Sequence, residues 1–213
     1  EVIELDAVTD YIKRKNEENP DFKYTWFHVI AAAIAKTLVL RPKMNRFYSG
    51  HRLFQKRFVD LSFVVRKSLT ADTGEALATV RIDEKGGSVV DQIHDYVRDI
   101  VTKVRVDAET EGSTAKMNAL QHLPRFVLKI IFSVLRMLEY FGHYPKGLRK
   151  DDPCYSSVFI SNLGSVKMKA DYHHLYEWGT CSFFVAISEK KLRPAFNADG
   201  TYEMRDRIKP EST

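Results

Sequence analysis

Cysteine is scarce in this chain: its 213 residues include two, Cys154 and Cys181. Neither belongs to a C-x-x-C pair, which argues against a zinc knuckle or a dithiol redox motif. Two buried thiols in a reducing, cytoplasmic setting are the expectation. Glycine is also sparse and not arranged for phosphate. "DEKGGSVVD" lacks the spacing of a P-loop or a dinucleotide fingerprint, and no G-x-S-x-G elbow occurs. The acidic opening "EVIELDAVTD" does not read as a signal peptide. No basic stripe interleaves with aromatics, so nucleic acid is not an expected partner. The most apolar stretch, "LPRFVLKIIFSVLRMLEYFG", is interrupted by Arg125, Lys129, Arg136 and Glu139 and is short for a membrane span. A core or interface helix is its first reading, and membrane partnership is not expected. An interfacial membrane helix, or a lid over a greasy pocket, is the second.

What remains is the composition of an ordinary globular domain, 44% hydrophobic and 29% charged. The net charge of +5 is modest and scattered, suited to an anionic ligand such as a phosphorylated cofactor. Helical spacing is clearest in "YTWFHVIAAAIAKTLVLRP", with Thr25 as N-cap and Pro42 as stop. A first helix follows Asp6, a third follows Ser88, and a fourth runs from Pro124 to a C-cap at Gly142. Strands are predicted in "HRLFQKRFVDLSFVVRKSL", "ALATVRID", "PCYSSVFISNLGS" and "CSFFVAISEKKLRPAF". The last of these runs into a basic turn. A hairpin turning at Asp199-Gly200 comes after it. The order is mixed α+β without βαβ alternation, in one domain without repeats or linkers.

Two features suggest chemistry. His173 and His174 are adjacent; on a strand they would point to opposite faces, so they are not expected to share a metal, and no metal is expected. Exposure of one and hydrogen bonding of the other within a loop is the plain reading. A role in substrate contact or proton transfer is the alternative. Ser161 ends the apolar run "VFI" and precedes "NLG". A hydroxyl at the end of a core strand is rigidly held, and Gly164 lets the chain turn sharply behind it. Such a donor can stabilise a developing oxyanion.

"FISNLG", Phe159 to Gly164, resembles the "ISNLG" signature of dihydrolipoyl acyltransferases, the core subunits of 2-oxo acid dehydrogenase complexes. The helix "FHVIAAAIAKTLVLRPKMNRFY" and the "KKLRP" segment from Lys190 to Pro194 are similar to the same family. "EYFGHYPKGLRKDDPCYSSVFIS" resembles chloramphenicol acetyltransferase. The resemblance implies an α+β, CoA-dependent acyltransferase-like two-layer sandwich, a mixed sheet packed by helices, that forms trimers. The activity it implies moves an acyl group between coenzyme A and a thiol or hydroxyl acceptor, which can be a lipoyl group. Ser161 matches the serine that holds the oxyanion. Around it Asn162, Gly164, Tyr172, His173 and His174 are expected at the substrate, and Lys191 and Arg193 at coenzyme A. The family's histidine base belongs to an H-x-x-x-D-G motif that would follow the final hairpin. The chain ends at "RIKPEST" without it, so the domain is expected to continue beyond both ends. A homotrimer or a larger assembly of trimers, with dehydrogenase-complex subunits as candidate partners, completes the implied picture. The competing reading is an acyltransferase-like trimeric scaffold without catalysis.

Overall fold

Alternation of apolar and polar residues builds the central feature, a mixed five-stranded sheet. The computed structural model describes residues 3–18, 21–66, 75–83, 85–106, 123–150, 152–169, 173–175, 177–197, 199–208 and 210–212. Its strands are β1 (Ile3–Glu4), β2 (Arg46–Ser49), β3 (Arg52–Gln55), β4 (Val59–Arg66), β5 (Glu75–Ile82), β6 (Val158–Asn162), β7 (Phe183–Ile187), β8 (Lys191–Phe196), β9 (Tyr202–Ile208) and β10 (Pro210–Ser212). Its helices are α1 (Asp6–Glu18), α2 (Trp26–Leu40), α3 (Val89–Val106), α4 (Arg125–Tyr140) and the short α5 (Lys146–Lys150).

The main sheet has the order β10-β7-β6-β4-β5. β6 lies parallel to both β4 and β7, while β5 and β10 are antiparallel at the two edges. A second, antiparallel sheet has the order β1-β9-β8, so the chain passes from this sheet at β9 to the main one at β10. The mixed sheet packed by helices is the architecture that the sequence implied.

One face of the sheet carries Leu61, Phe63, Val80, Val158, Ile160 and Ile187, all buried in one cluster with Phe27, Ala31 and Leu38 of α2 and Ile93 of α3. Full burial of each Leu, Ile or Phe contributes about 1.5–3 kcal/mol. The alanines of α2 let its backbone approach the sheet closely. At the start of α2 the Thr25 amide donates to His28 Nδ1 at 2.9 Å. His28 thereby takes the place that Glu or Gln usually fills in a capping box.

Four differences from the sequence reading have physical causes. β2 and β3 form a hairpin of their own, because Gly50 and His51 both adopt positive φ (54° and 61°). That is the conformation a two-residue type I′ turn needs. "KKLRP" is largely strand β8 rather than a turn: Lys191 pairs with Arg207 and Pro194 with Met204. His173 and His174 lie in irregular backbone, so strand alternation does not govern them. Finally, no residue of α4 is buried, which corrects the core reading of that helix. Its side-chain hydrogen bonds lie near its C-terminal end, where Ser49 Oγ donates to the Glu139 carbonyl at 3.1 Å and the Tyr155 hydroxyl donates to Glu139 Oε1 at 2.9 Å.

Candidate active site

Strand β6 is anchored before it begins. Ser156 and Ser157 are buried, and Ser156 Oγ donates to the Pro153 carbonyl at 2.7 Å. The Ser157 amide donates to the Asp60 carbonyl at 2.8 Å, while Ser157 Oγ accepts from the Asp60 amide at 3.2 Å. Lys56 Nζ donates to the carbonyls of Tyr155 and Ser156. Burial pushes the Lys56 amine down to about 8. These ties fix where the strand starts, and therefore where Ser161 ends up.

Along β6 the side chains alternate. Val158 and Ile160 face the helices, and Phe159 and Ser161 face the other side. In register, Phe159 pairs with Phe184 and Ser161 with Ala186. Ser161 is thus half-buried on the face of the sheet away from α2 and α3, at the carboxyl ends of two parallel strands, beside the methyl group of the buried Ala186. Its hydroxyl has no hydrogen-bond partner among the described residues. Asn162, next in the strand, is directed by alternation to the helix side, where its Oδ1 is buried without a partner.

The chain then turns tightly over Leu163–Val166. Ser165 Oγ donates to the Asn162 carbonyl at 2.8 Å, and the Lys167 amide donates to the Gly164 carbonyl at 3.2 Å. Gly164 is dictated by close approach. A Cβ there would stand 2.8 Å from the Ser188 carbonyl oxygen and 2.9 Å from Cη2 of Trp26. The turn behind Ser161 is thereby clamped between the end of β7 and the start of α2. Gly164→Ala is expected to lower stability by about 1–3 kcal/mol, as overpacking against backbone does. The check is the urea midpoint; an unchanged midpoint would mean that the turn is not clamped.

The His173 ring stacks on Phe184 at 4.4 Å, and Phe184 stacks on Phe159 at 5.4 Å. The imidazole therefore lies on the same face as Ser161, one same-face position back along the strands, a step of about 7 Å. Its Nδ1 is 3.1 Å from the His174 carbonyl oxygen, and His174 Nδ1 is 2.6 Å from that of Leu175. A carbonyl accepts, so in each contact Nδ1 is the donor. Both histidines are exposed. Tyr172 lies outside the described residues. Lys191 and Arg193 lead away from the same end of β7, with Lys191 Nζ 2.8 Å from Glu189 Oε1 and Arg193 exposed. The structure thus brings Ser161 and Gly164 together at one end of the main sheet, with His173 on the face nearby, while Lys191 and Arg193 lie on β8 of the second sheet. Among the described residues no cluster of three His, Cys, Asp or Glu side chains is placed to hold a metal.

The sequence did not single out a cleft of about 890 Å³ at the opposite ends of the same strands, lined by Phe47, Phe54, Lys56, Arg81, Arg149 and Tyr155 among others. These residues come from separated segments, and no local pattern marks them. The cations there already have neighbours: Arg81 Nε is 2.7 Å from Asp60 Oδ1, and the Arg149 guanidinium lies over the Tyr155 ring at 5.7 Å.

Known structures share this arrangement of elements. The chain matches the cubic core of the pyruvate dehydrogenase multienzyme complex over its full length and 69% of that chain, with a TM-score of 0.63 at 14% identity. The fold is that of a dihydrolipoamide acetyltransferase catalytic core. The same measures hold for the Azotobacter vinelandii dihydrolipoamide acetyltransferase, in a structure made to establish the roles of a serine, a histidine and an asparagine in its catalytic mechanism. The truncated catalytic core of the 2-oxoacid dehydrogenase multienzyme complex from Thermoplasma acidophilum matches with a TM-score of 0.55 at 14% identity, over the whole chain and 73% of that core. Neither a protein-family model nor a curated protein sequence matches the chain. The acetyltransferase-core fold therefore rests on three-dimensional likeness, and the chemistry has to be argued from the residues.

Proposed function

We propose that this chain forms the oxyanion-holding part of a CoA-dependent acyltransferase site, moving an acyl group between coenzyme A and a thiol or hydroxyl acceptor. The observation that carries this reading is the placement of Ser161. Half-buried Ser161 stands on the face of the sheet away from α2 and α3, beside Ala186, with the following turn clamped at Gly164. The likeness to acetyltransferase cores supports the same reaction class.

In this mechanism the acceptor loses its proton to a base and attacks the thioester carbonyl. The carbonyl oxygen becomes an oxyanion, and the Ser161 O–H donates to it. Collapse of the tetrahedral species breaks the carbon–sulfur bond, and the CoA thiolate takes up the proton. A fixed donor helps most when it meets charge that develops only in the transition state. The base is a histidine, which the family resemblance assigns to the H-x-x-x-D-G segment. His173 is the nearest imidazole on the Ser161 face among the described residues and is the alternative. Lys191 and Arg193 supply positive charge for the phosphates of coenzyme A. The acceptor site faces Gly164, His173 and His174, and the working unit is a trimer that builds larger assemblies with dehydrogenase-complex subunits.

The test is acyl transfer from acetyl-CoA to dihydrolipoamide and to small thiols and alcohols, followed as free CoA release by the full-length protein. Turnover that depends on Ser161 supports the reading. A folded protein that binds acetyl-CoA yet shows no Ser161-dependent turnover with any acceptor would leave the scaffold reading in its place.

A further inference from the structure

Helix α4 presents an apolar stripe to solvent. Phe126, Ile130, Val134, Met137 and Phe141 recur at helical spacing along one side, the last just past the helix end. They are exposed at 68%, 61%, 45%, 54% and 65%. Helical geometry puts these side chains on one face. A different face, with Val127, Ile131, Leu135 and Leu138, is half-buried toward the protein, and Phe132 meets Trp178 edge-on at 6.0 Å. The stripe is therefore additional to the surface that docks the helix.

Charge decides what suits it. Arg125, Lys129 and Arg136 are all exposed and fall along one edge of the stripe. No acid pairs with any of them among the described residues. The one acid of the helix, Glu139, accepts from the Tyr155 hydroxyl and is turned inward. A second copy of the chain meeting this face symmetrically would bring three cations against three cations. An anionic lipid surface complements both parts: acyl chains take the apolar stripe and headgroup phosphates take the basic edge. No helix among the described residues is long and apolar enough to cross a membrane, so the fitting geometry is a helix lying in the interface.

We propose that α4 docks the protein onto anionic lipid bilayers, with Phe126, Ile130, Val134, Met137 and Phe141 in the acyl region and Arg125, Lys129 and Arg136 at the headgroups. This stands independently of the acyltransferase reading.

The experiment is co-sedimentation of the full-length protein with phosphatidylcholine vesicles, alone or containing about one-third phosphatidylserine. Partitioning onto the anionic vesicles is expected to exceed that onto neutral ones by about tenfold or more and to weaken with salt. The double variant Ile130→Asp/Val134→Asp lowers it by about tenfold or more. Lys129→Gln/Arg136→Gln removes most of the preference for anionic vesicles. The altered side chains are exposed, and circular dichroism verifies the fold of each variant. Equal partitioning of wild type and variants, or no partitioning of wild type, overturns the proposal. A lipid-free change of oligomeric state in Ile130→Asp/Val134→Asp, without vesicle binding by wild type, assigns the face to contacts between copies and also overturns it.

Discussion

Ser161→Ala is expected to lower kcat for acyl transfer by about a hundredfold or more while leaving acyl-CoA affinity nearly unchanged. One hydroxyl is removed from a position where Ala186 already places a methyl beside it, so no cavity opens and no chain shifts. The hydroxyl has no hydrogen-bond partner among the described residues, so its loss leaves no buried group unsatisfied there. Stability should therefore stay within about 0.5 kcal/mol of the parent, as for replacements that touch no such feature. The transition state feels the change instead. Loss of one oxyanion donor raises the barrier by about 2.7–4 kcal/mol, because the donor is preorganised and water cannot take its place. Since the ground-state carbonyl carries little charge, kcat and kcat/KM should fall together. Steady-state kinetics paired with direct acetyl-CoA binding separate the cases. A drop in affinity alone would make Ser161 a binding group, and an unchanged kcat would remove it from the chemistry.

The legibility of this chain followed the range of the interactions involved. α2 was readable because its signals are local: Thr25 caps it, apolar residues recur at helical spacing, and Pro42 stops it. β6 and the turn after it were readable for the same reason, since "VFISNLG" carries both the apolar alternation and the glycine. Even there, the reason for Gly164 was partly hidden. It lies in the Ser188 carbonyl and the Trp26 ring, both remote in sequence. The β2–β3 hairpin was missed because Gly50-His51 is an uncommon pair for a type I′ turn, and φ of +61° at a histidine is not written in composition. Helix α4 misled for a different reason. Periodicity shows which face is apolar but not what covers it, and a helix with one face half-buried and another in solvent has the same pattern as a core helix. The cleft around Lys56 was invisible because β3, β4, β5 and the segment before β6 meet there only in three dimensions.

The least local feature of all, the surroundings of His28, carries the second large effect. His28 is 2% exposed, and burial, followed by the nearby His94, lowers its pKa from 6.5 to about 4. Its Nδ1 accepts from the Thr25 amide, so the neutral ring carries its proton on Nε2, which is buried without a partner. Phe22, Tyr24, Phe27 and His94 surround it edge-on at ring distances of 5.5–6.2 Å, with no carboxylate paired to it among the described residues. Below pH 6.5 the unfolded chain takes up a proton at His28 that the folded chain refuses until about pH 4. The unfolded state therefore binds more protons in that window, and stability falls as the pH falls through it. The shift corresponds to a loss of about 3 kcal/mol once the pH is below both values, a large share of a stability of about 5–15 kcal/mol. His28→Gln keeps a side chain suited to the third position of a capping box and cannot titrate. Urea unfolding of both proteins from neutral pH down to about pH 4 isolates the effect, because every other titrating group is common to the two. The wild type should lose about 3 kcal/mol more than His28→Gln between those limits, with most of the difference accumulating below pH 6.5, where the unfolded imidazole is protonated and the folded one is not. Parallel pH profiles for the two proteins would mean that His28 accepts its proton in the folded state, and that the aromatic enclosure at the start of α2 opens without unfolding.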